Sequence, residues 1–293
     1  MDCASPITIP DPHIGGTNRI TAPCGKCIPC LQSRRSDWSF RLHHELKQSI
    51  AAKFITLTYN DEHLPYSETS GLPDLRKQDL QDFIKRLRIN YSRYISTLPE
   101  KVQKIALKHP SIKHYSVGEY GGHYERPHYH LLLFNLAFEE RNHLEKAWSI
   151  NQKPVGHVHI GSVEMASIHY VTGYIITPNV DYEGRTKPFA IMSKGIGIEY
   201  INLRNQKFHN EQKAFYVRSY EQKQKMPRYY KEKFFSKHEI SENSKRAKAE
   251  AEKADNKEFK KLLDAGENPA FYKSSQVQDQ IRKTKNITKN KKL

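Results

Sequence analysis

The sequence predicts an α+β fold: an antiparallel sheet in the split βαβ (ferredoxin- or RRM-like) order, helices on one face, and a basic C-terminal tail. Three observations predict it. Strand-like and helix-like stretches follow the order strand, helix, strand, strand, helix, strand, helix. Residues 115–134 (YSVGEYGGHYERPHYHLLLF) read as two strands joined by a polar, glycine-bearing hairpin and form the most apolar part of a polar chain. Beyond Ser236 apolar residues nearly vanish and charge dominates.

Taken in order, residues 1–50 form a Cys-rich arm and a first helix. The arm is irregular, with Pro6, Pro10, Pro12, Gly15, Gly16, Pro23 and Pro29. Residues 31–50 predict a helix, since Trp38, Leu42 and Leu46 recur at four-residue steps with Arg34, Arg35 and Arg41 among them. Residues 51–178 form the core. Residues 54–59 (FITLTY) are β-branched and aromatic, hence a strand. Pro65, Gly71 and Pro73 mark 61–74 as a loop. Residues 75–94 carry the helical stripe Leu80, Phe83, Ile84, Leu87, with Lys85, Arg86 and Arg88 on a basic face. The hairpin strands fall near 112–119 and 128–135, a helix near 138–149, a short strand near 156–163 and a helix near 167–176. Residues 179–235 are an accessory segment whose 226–235 stretch interleaves aromatic and basic side chains. That mix suits stacking on bases or, equally, packing a subdomain. Residues 236–293 are a charged tail, with a solvated helix expected at 241–263 and a mobile basic arm at 281–293.

Within the hairpin, side chains alternate faces, so His128 and His130 point the same way, and strand pairing brings Glu119 near them. Two imidazoles and a carboxylate make a ligand set for Mg²⁺ or Mn²⁺. His157-Val158-His159 repeats the His-x-His pattern without the apolar run or the acid. Downstream, Tyr170 and Tyr174 share one helix face. In a chain with 17 tyrosines such a pair usually packs a core. Beside a metal triad it acquires a use: a phenol oxygen attacks a nucleic-acid phosphate, and two phenols permit a second cut while the first link persists. Cys24, Cys27 and Cys30 form a double C-x-x-C step, and Cys3 is the fourth cysteine. They offer either a structural Zn²⁺ site or ordinary reduced thiols.

The chain of 293 residues has 48 Lys and Arg against 32 Asp and Glu, a formal net charge of +16. The balance favours a polyanionic partner, nucleic acid before an acidic membrane surface. No run approaches the ~18 apolar residues of a membrane span. No basic-then-apolar leader opens the sequence, and four cysteines are too few for a disulfide framework. A reducing cytoplasm is the expected compartment.

Read together, Cys24-Gly-Lys-Cys27 with Arg34-Arg35 and Trp38, the 54–59 strand with Asp61-Glu-His-Leu-Pro65, Gly118-Glu-Tyr-Gly121 with Arg126-Pro-His-Tyr-His130, residues 170–174, and Pro227-Arg-Tyr-Tyr230 resemble the HUH endonucleases that start rolling-circle replication. The nearer resemblance is to the replication initiators of gokushovirus-like Microviridae, small single-stranded DNA bacteriophages. It implies metal ligands at His128, His130 and Glu119, and nucleophiles at Tyr170 and Tyr174. It also implies nicking and rejoining of single-stranded origin DNA through a 5′-phosphotyrosine link, with host replication machinery as partner in the host cytoplasm and no membrane. Arg34, Arg35, Arg126, Arg228 and Lys231 are the expected DNA contacts. Related initiators often carry a lysine three residues after the first tyrosine; here that position is Gly173, so a lysine's helper role does not transfer. Two other readings of the same features are a non-catalytic single-strand nucleic-acid-binding module and a plasmid relaxase-type HUH enzyme.

Overall fold

The computed structural model describes residues 3–11, 16–107, 111–122, 124–138, 140–174, 182–213, 215–219 and 222–272, with a few positions up to 282. Backbone contacts divide the chain into two units. One is Arg41–Ile198; the other joins Met1–Phe40 to Glu199–Lys291.

The first unit is built on β3 (Ala52–Thr58), α2 (Lys77–Thr97), α3 (Glu100–Leu107), β4 (Lys113–Tyr120), β5 (Pro127–Phe134), α4 (Glu140–Ala147), β8 (Val158–Ser162), α5 (Met165–Gly173) and β9 (Phe189–Met192). A small two-stranded ribbon, β6 (Ser149–Ile150) and β7 (Lys153–Pro154), follows α4. The main sheet has five strands in the order β8-β3-β5-β4-β9, every pair antiparallel. With β3, β4, β5 and β8 as the four strands of the split βαβ unit, the order is fourth, first, third, second, as the sequence predicts. β9 is an additional edge strand beside β4, in a region where the sequence shows no more than a turn with a short strand.

β3 shows why the sheet has two unlike faces. Ile55 and Leu57 are buried while Phe54, Thr56 and Thr58 are only partly so. The apolar face packs Ile55, Leu57, Tyr129, Leu131 and Leu133 beneath α2 and α4, through Leu80, Phe83, Leu87, Leu144 and Trp148. Pro99 follows α2 and cannot extend it. Trp148 is buried, and its indole N–H donates to the Thr58 carbonyl (2.9 Å), so burial strands no polar atom. The opposite face is not bare: α5 lies across it, and its tyrosines are described below.

In the second unit, β1 (Ile7–Pro10) and β2 (Arg19–Ala22) make a two-stranded hairpin ahead of α1 (Ile28–Gln48), whose last residues belong to the first unit. Then come α6 (Leu203–Gln212), the hairpin β10 (Tyr216–Ser219) and β11 (Gln222–Lys225), α7 (Arg228–Phe234) and α8 (Lys237–Asp264). Phe40, Val217, Met226, Tyr230, Phe234, Phe235 and Ile240 form its core. The aromatics of 226–235 thus serve packing, one of the two uses open to them. α8 starts earlier than expected because Ser236 and Glu239 form a capping box. Apart from residue 282, the expected arm at 281–293 lies outside the described residues, as do 175 and 176 at the end of the predicted tyrosine helix. Among the described residues no helix is long and apolar enough to cross a membrane.

Candidate active site

β4 and β5 pair so that Glu119 faces His128 and Val117 faces His130. Tyr129, between the histidines, points into the helix-covered core, its hydroxyl bonded to the Tyr59 hydroxyl (2.8 Å) and to the Arg76 carbonyl (2.9 Å). That anchor holds the two imidazoles on the other face. Glu119 Oε1 lies 3.0 Å from His128 Nε2 and 2.8 Å from His130 Nε2. The other ring nitrogens are held as well. His128 Nδ1 donates to the Arg126 carbonyl (3.2 Å), and His130 Nδ1 lies 2.9 Å from the hydroxyl of Thr56, its cross-strand neighbour. Phe54 stacks on the His130 ring, with centroids 5.4 Å apart. Outer partners of this kind orient ligand nitrogens inward.

Glu119 and His130 are buried and His128 partly so. Burial by itself raises the Glu119 carboxyl, but hydrogen bonds from His128 and His130 outweigh it and bring its pKa down to about 2. Burial likewise works against a charged His128, and the hydrogen bond and charge of Glu119 reverse that, raising it.

α5 delivers the phenols. Ser167 Oγ accepts the Glu164 N–H (3.2 Å) at its start, and Ile168, Val171, Thr172 and Gly173 are buried. Tyr170 is 37% exposed and donates to Glu119 Oε1 (3.2 Å), with His130 Nε2 3.4 Å away. Tyr174, one turn on, has its ring 5.3 Å from that of Tyr170, and its hydroxyl also bonds Glu119. Burial, then the Glu119 charge, push the Tyr170 phenol up to about 12 and raise Tyr174 further. Both phenols stay protonated near neutral pH unless positive charge enters the site.

The five residues singled out for chemistry therefore meet in one place. His157 and His159 are exposed at the β8 edge and join no metal-binding group among the described residues. Arg126 donates to Asp61 (2.7 Å) and to the Tyr59 carbonyl (3.1 Å), tying the β4–β5 turn to the end of β3. In the second unit Arg34 is exposed and Arg35 partly buried. Arg228 is exposed and pairs with Glu232 (2.6 Å). The Lys231 ammonium lies 4.5 Å over the Phe215 ring, and burial brings its pKa down to about 8. Thr56 and Phe54 are site residues that the motifs alone do not reveal. The signal for them is the alternation of the 54–59 strand, which places both on the face opposite Ile55 and Leu57.

The fold and site define an antiparallel α+β protein whose sheet carries a His–His–Glu group beneath two tyrosines. Residues 52–178, running from β3 to just beyond α5, match a family model of phage-type replication-associated proteins, described under the name ORF2. The chain is 30% identical over 212 residues to Replication-associated protein ORF2 of Spiroplasma virus 4, covering 65% of this chain and 60% of that one. It is 26% identical over 238 residues to Replication-associated protein VP4 of Bdellovibrio phage phiMH2K, covering 74% and 68%. It is 31% identical over 123 residues to Replication-associated protein ORF4 of Chlamydia phage 1, covering 42% and 26%. The chain thus spans 60% of the length of the first of these relatives. No solved structure matches. The resemblance to Microviridae replication proteins read from the sequence is borne out.

Proposed function

We propose that this chain initiates rolling-circle replication as an HUH-type DNA endonuclease and strand transferase, nicking and rejoining single-stranded origin DNA through a 5′-phosphotyrosine link. The observation that supports it is convergence: the Tyr170 hydroxyl lies 3.2 Å from the carboxylate oxygen that both imidazoles share. A carboxylate oxygen and two imidazole nitrogens within 4.8 Å of one another fit Mg²⁺ or Mn²⁺, held by Glu119, His128 and His130. Such an ion polarises the scissile phosphate and offsets the negative charge that raises the phenols.

The chain's residues supply the rest. The oxygen of Tyr170 or Tyr174 bonds to phosphorus, the bond from phosphorus to the 3′ oxygen breaks, and the phenol's proton ends on the departing 3′-OH. The phosphodiester is conserved, so attack by a 3′-OH reverses the step and reseals the strand. Thr56, the Arg126 carbonyl and Tyr129 keep the imidazoles aimed without help from substrate. Exposed basic side chains such as Arg34 and Arg228 would add sequence-independent affinity through phosphates. In the host cytoplasm the freed 3′-OH would prime the host polymerase.

The test is a labelled single-stranded origin oligonucleotide, incubated with and without Mn²⁺. A protein–DNA band that survives denaturation, and appears only with metal, is expected. Tight binding with no adduct in metal would overturn the reading in favour of a non-catalytic binding module.

A further inference from the structure

The second unit holds a second ligand cluster that the nicking chemistry does not use. We propose that Cys3, Cys24, Cys27 and Cys30 bind one tetrahedral zinc ion that fastens the N-terminal hairpin to the start of α1.

The hairpin is what brings the outlying cysteine in. Ile7 pairs with Ala22 and Thr8 with Thr21, so the chain before Ile7 folds back over Cys24. The Cys24 N–H reaches the Cys3 sulfur (3.2 Å), and the Cys3 and Cys27 sulfurs stand 3.7 Å apart. All four sulfurs lie within 4.8 Å of one another. These distances discriminate between chemistries. A disulfide needs ~2.05 Å between sulfurs. Four thiolates at ~2.3 Å around one zinc ion form a tetrahedron with edges of about 3.8 Å. An iron–sulfur cluster spreads its thiolates over several metal ions, which calls for a wider arrangement.

The local backbone is that of a metal knuckle. Gly25 sits at φ +74°, in the left-handed region, and the turn it permits aims the Lys26 and Cys27 N–H groups at the Cys24 sulfur (3.5 and 3.4 Å). Cys30 lies in the first turn of the 21-residue α1, whose positive end favours a thiolate. Soft thiolate ligands select zinc over the hard cation suited to Glu119, His128 and His130.

The hairpin also needs such a fastening. Its strands are four residues each and mostly exposed. A lone two-stranded ribbon of that size is marginal in water, so binding energy at the cysteines becomes folding energy.

The experiment measures metal in full-length protein purified under reducing conditions without chelator. One zinc per chain is expected, retained in the His128→Ala/His130→Ala double variant, which separates this ion from one at the triad. Zinc should fall below a tenth per chain in Cys27→Ser. Because that variant can fail by misfolding, a second arm replaces zinc with Co²⁺ in the unaltered protein. Thiolate-to-cobalt absorption with tetrahedral ligand-field bands is expected, and Cys27→His should bind Co²⁺ with those bands shifted. Four freely alkylated thiols in metal-free, fully folded protein would overturn the proposal, as would disulfides in the reduced preparation or iron with inorganic sulfide.

Discussion

The His–His–Glu group and the cysteine group are each compact enough to hold a metal ion, but the scaffolds beneath them are opposites. The first stands on a five-stranded sheet, each ligand locked by register and its outer face backed by a core that includes Trp148, Phe83 and Leu131. The second hangs on a four-residue ribbon and a knuckle turn. A ligand set on a packed sheet is preorganised, and its ion contributes chemistry. A ligand set on a ribbon is assembled by its ion, which contributes the fold. The difference shows that ligand count and spacing do not tell a catalytic site from a structural one; the burial behind the ligands does.

The largest expected effect tests the first half of that contrast. Tyr170→Phe/Tyr174→Phe, or His130→Ala, should reduce covalent adduct at least ~10³-fold while the unfolding midpoint of the sheet unit stays nearly unchanged. Each single Tyr→Phe variant should still form adduct if the phenols alternate. Adduct yield in gels and a denaturant curve read the two quantities. Adduct that persists in the double variant removes both tyrosines as nucleophiles.

Next in size is acid sensitivity, a weakness of the sheet unit that owes nothing to metal. His114 is buried beneath α2, with Ser116 at 2.8 Å. Burial, and then the nearby charge of Arg88, bring its pKa down to about 4. The unfolded chain takes up a proton near 6.5 that the folded chain refuses. Stability from this residue is therefore complete above pH 6.5 and declines as pH falls towards 4, by up to roughly 3 kcal/mol. Denaturant midpoints at pH 7.5 and 5 should differ, and His114→Gln should narrow the gap. An equal gap in the variant assigns the acid sensitivity to other groups.

Smaller again is Thr56→Val, which keeps shape but removes the hydroxyl beside His130. A loss of metal affinity of ~10–100-fold is expected, read as the Mn²⁺ concentration for half-maximal adduct, with full activity recovered at high Mn²⁺. No shift means that the hydroxyl does not orient the ring. Smallest is His157→Ala, which should change adduct yield less than ~2-fold, since its side chain lies outside the triad.

Much of this was legible in the sequence. The sheet order followed from periodicity, and the meeting of Glu119, His128 and His130 followed from hairpin pairing. The tyrosines' approach to that group rested on resemblance, because nothing in a helical spacing says which face of a sheet the helix will cover. β9 was hidden for a related reason: Phe189–Met192 is too short to show a period, and it becomes a strand by pairing with β4. The role of 226–235 was undecidable from composition, since Tyr230 and Phe234 are equally suited to bases or to a core until Phe40 and Ile240 are seen beside them.

His128-Tyr129-His130 makes one strand answer to two masters, and this gives the region a parity. Its even positions face solvent and substrate, and its odd ones face the helices. Deleting a single residue between Pro127 and the end of β5 would exchange the two sets, sending imidazoles beneath α2 and setting Tyr129 and Leu131 in water. Deleting two would restore the facing and only shift the register. The turn at residues 121–126 lies outside that constraint, so natural length variation should collect there, while the strand itself tolerates changes only in steps of two.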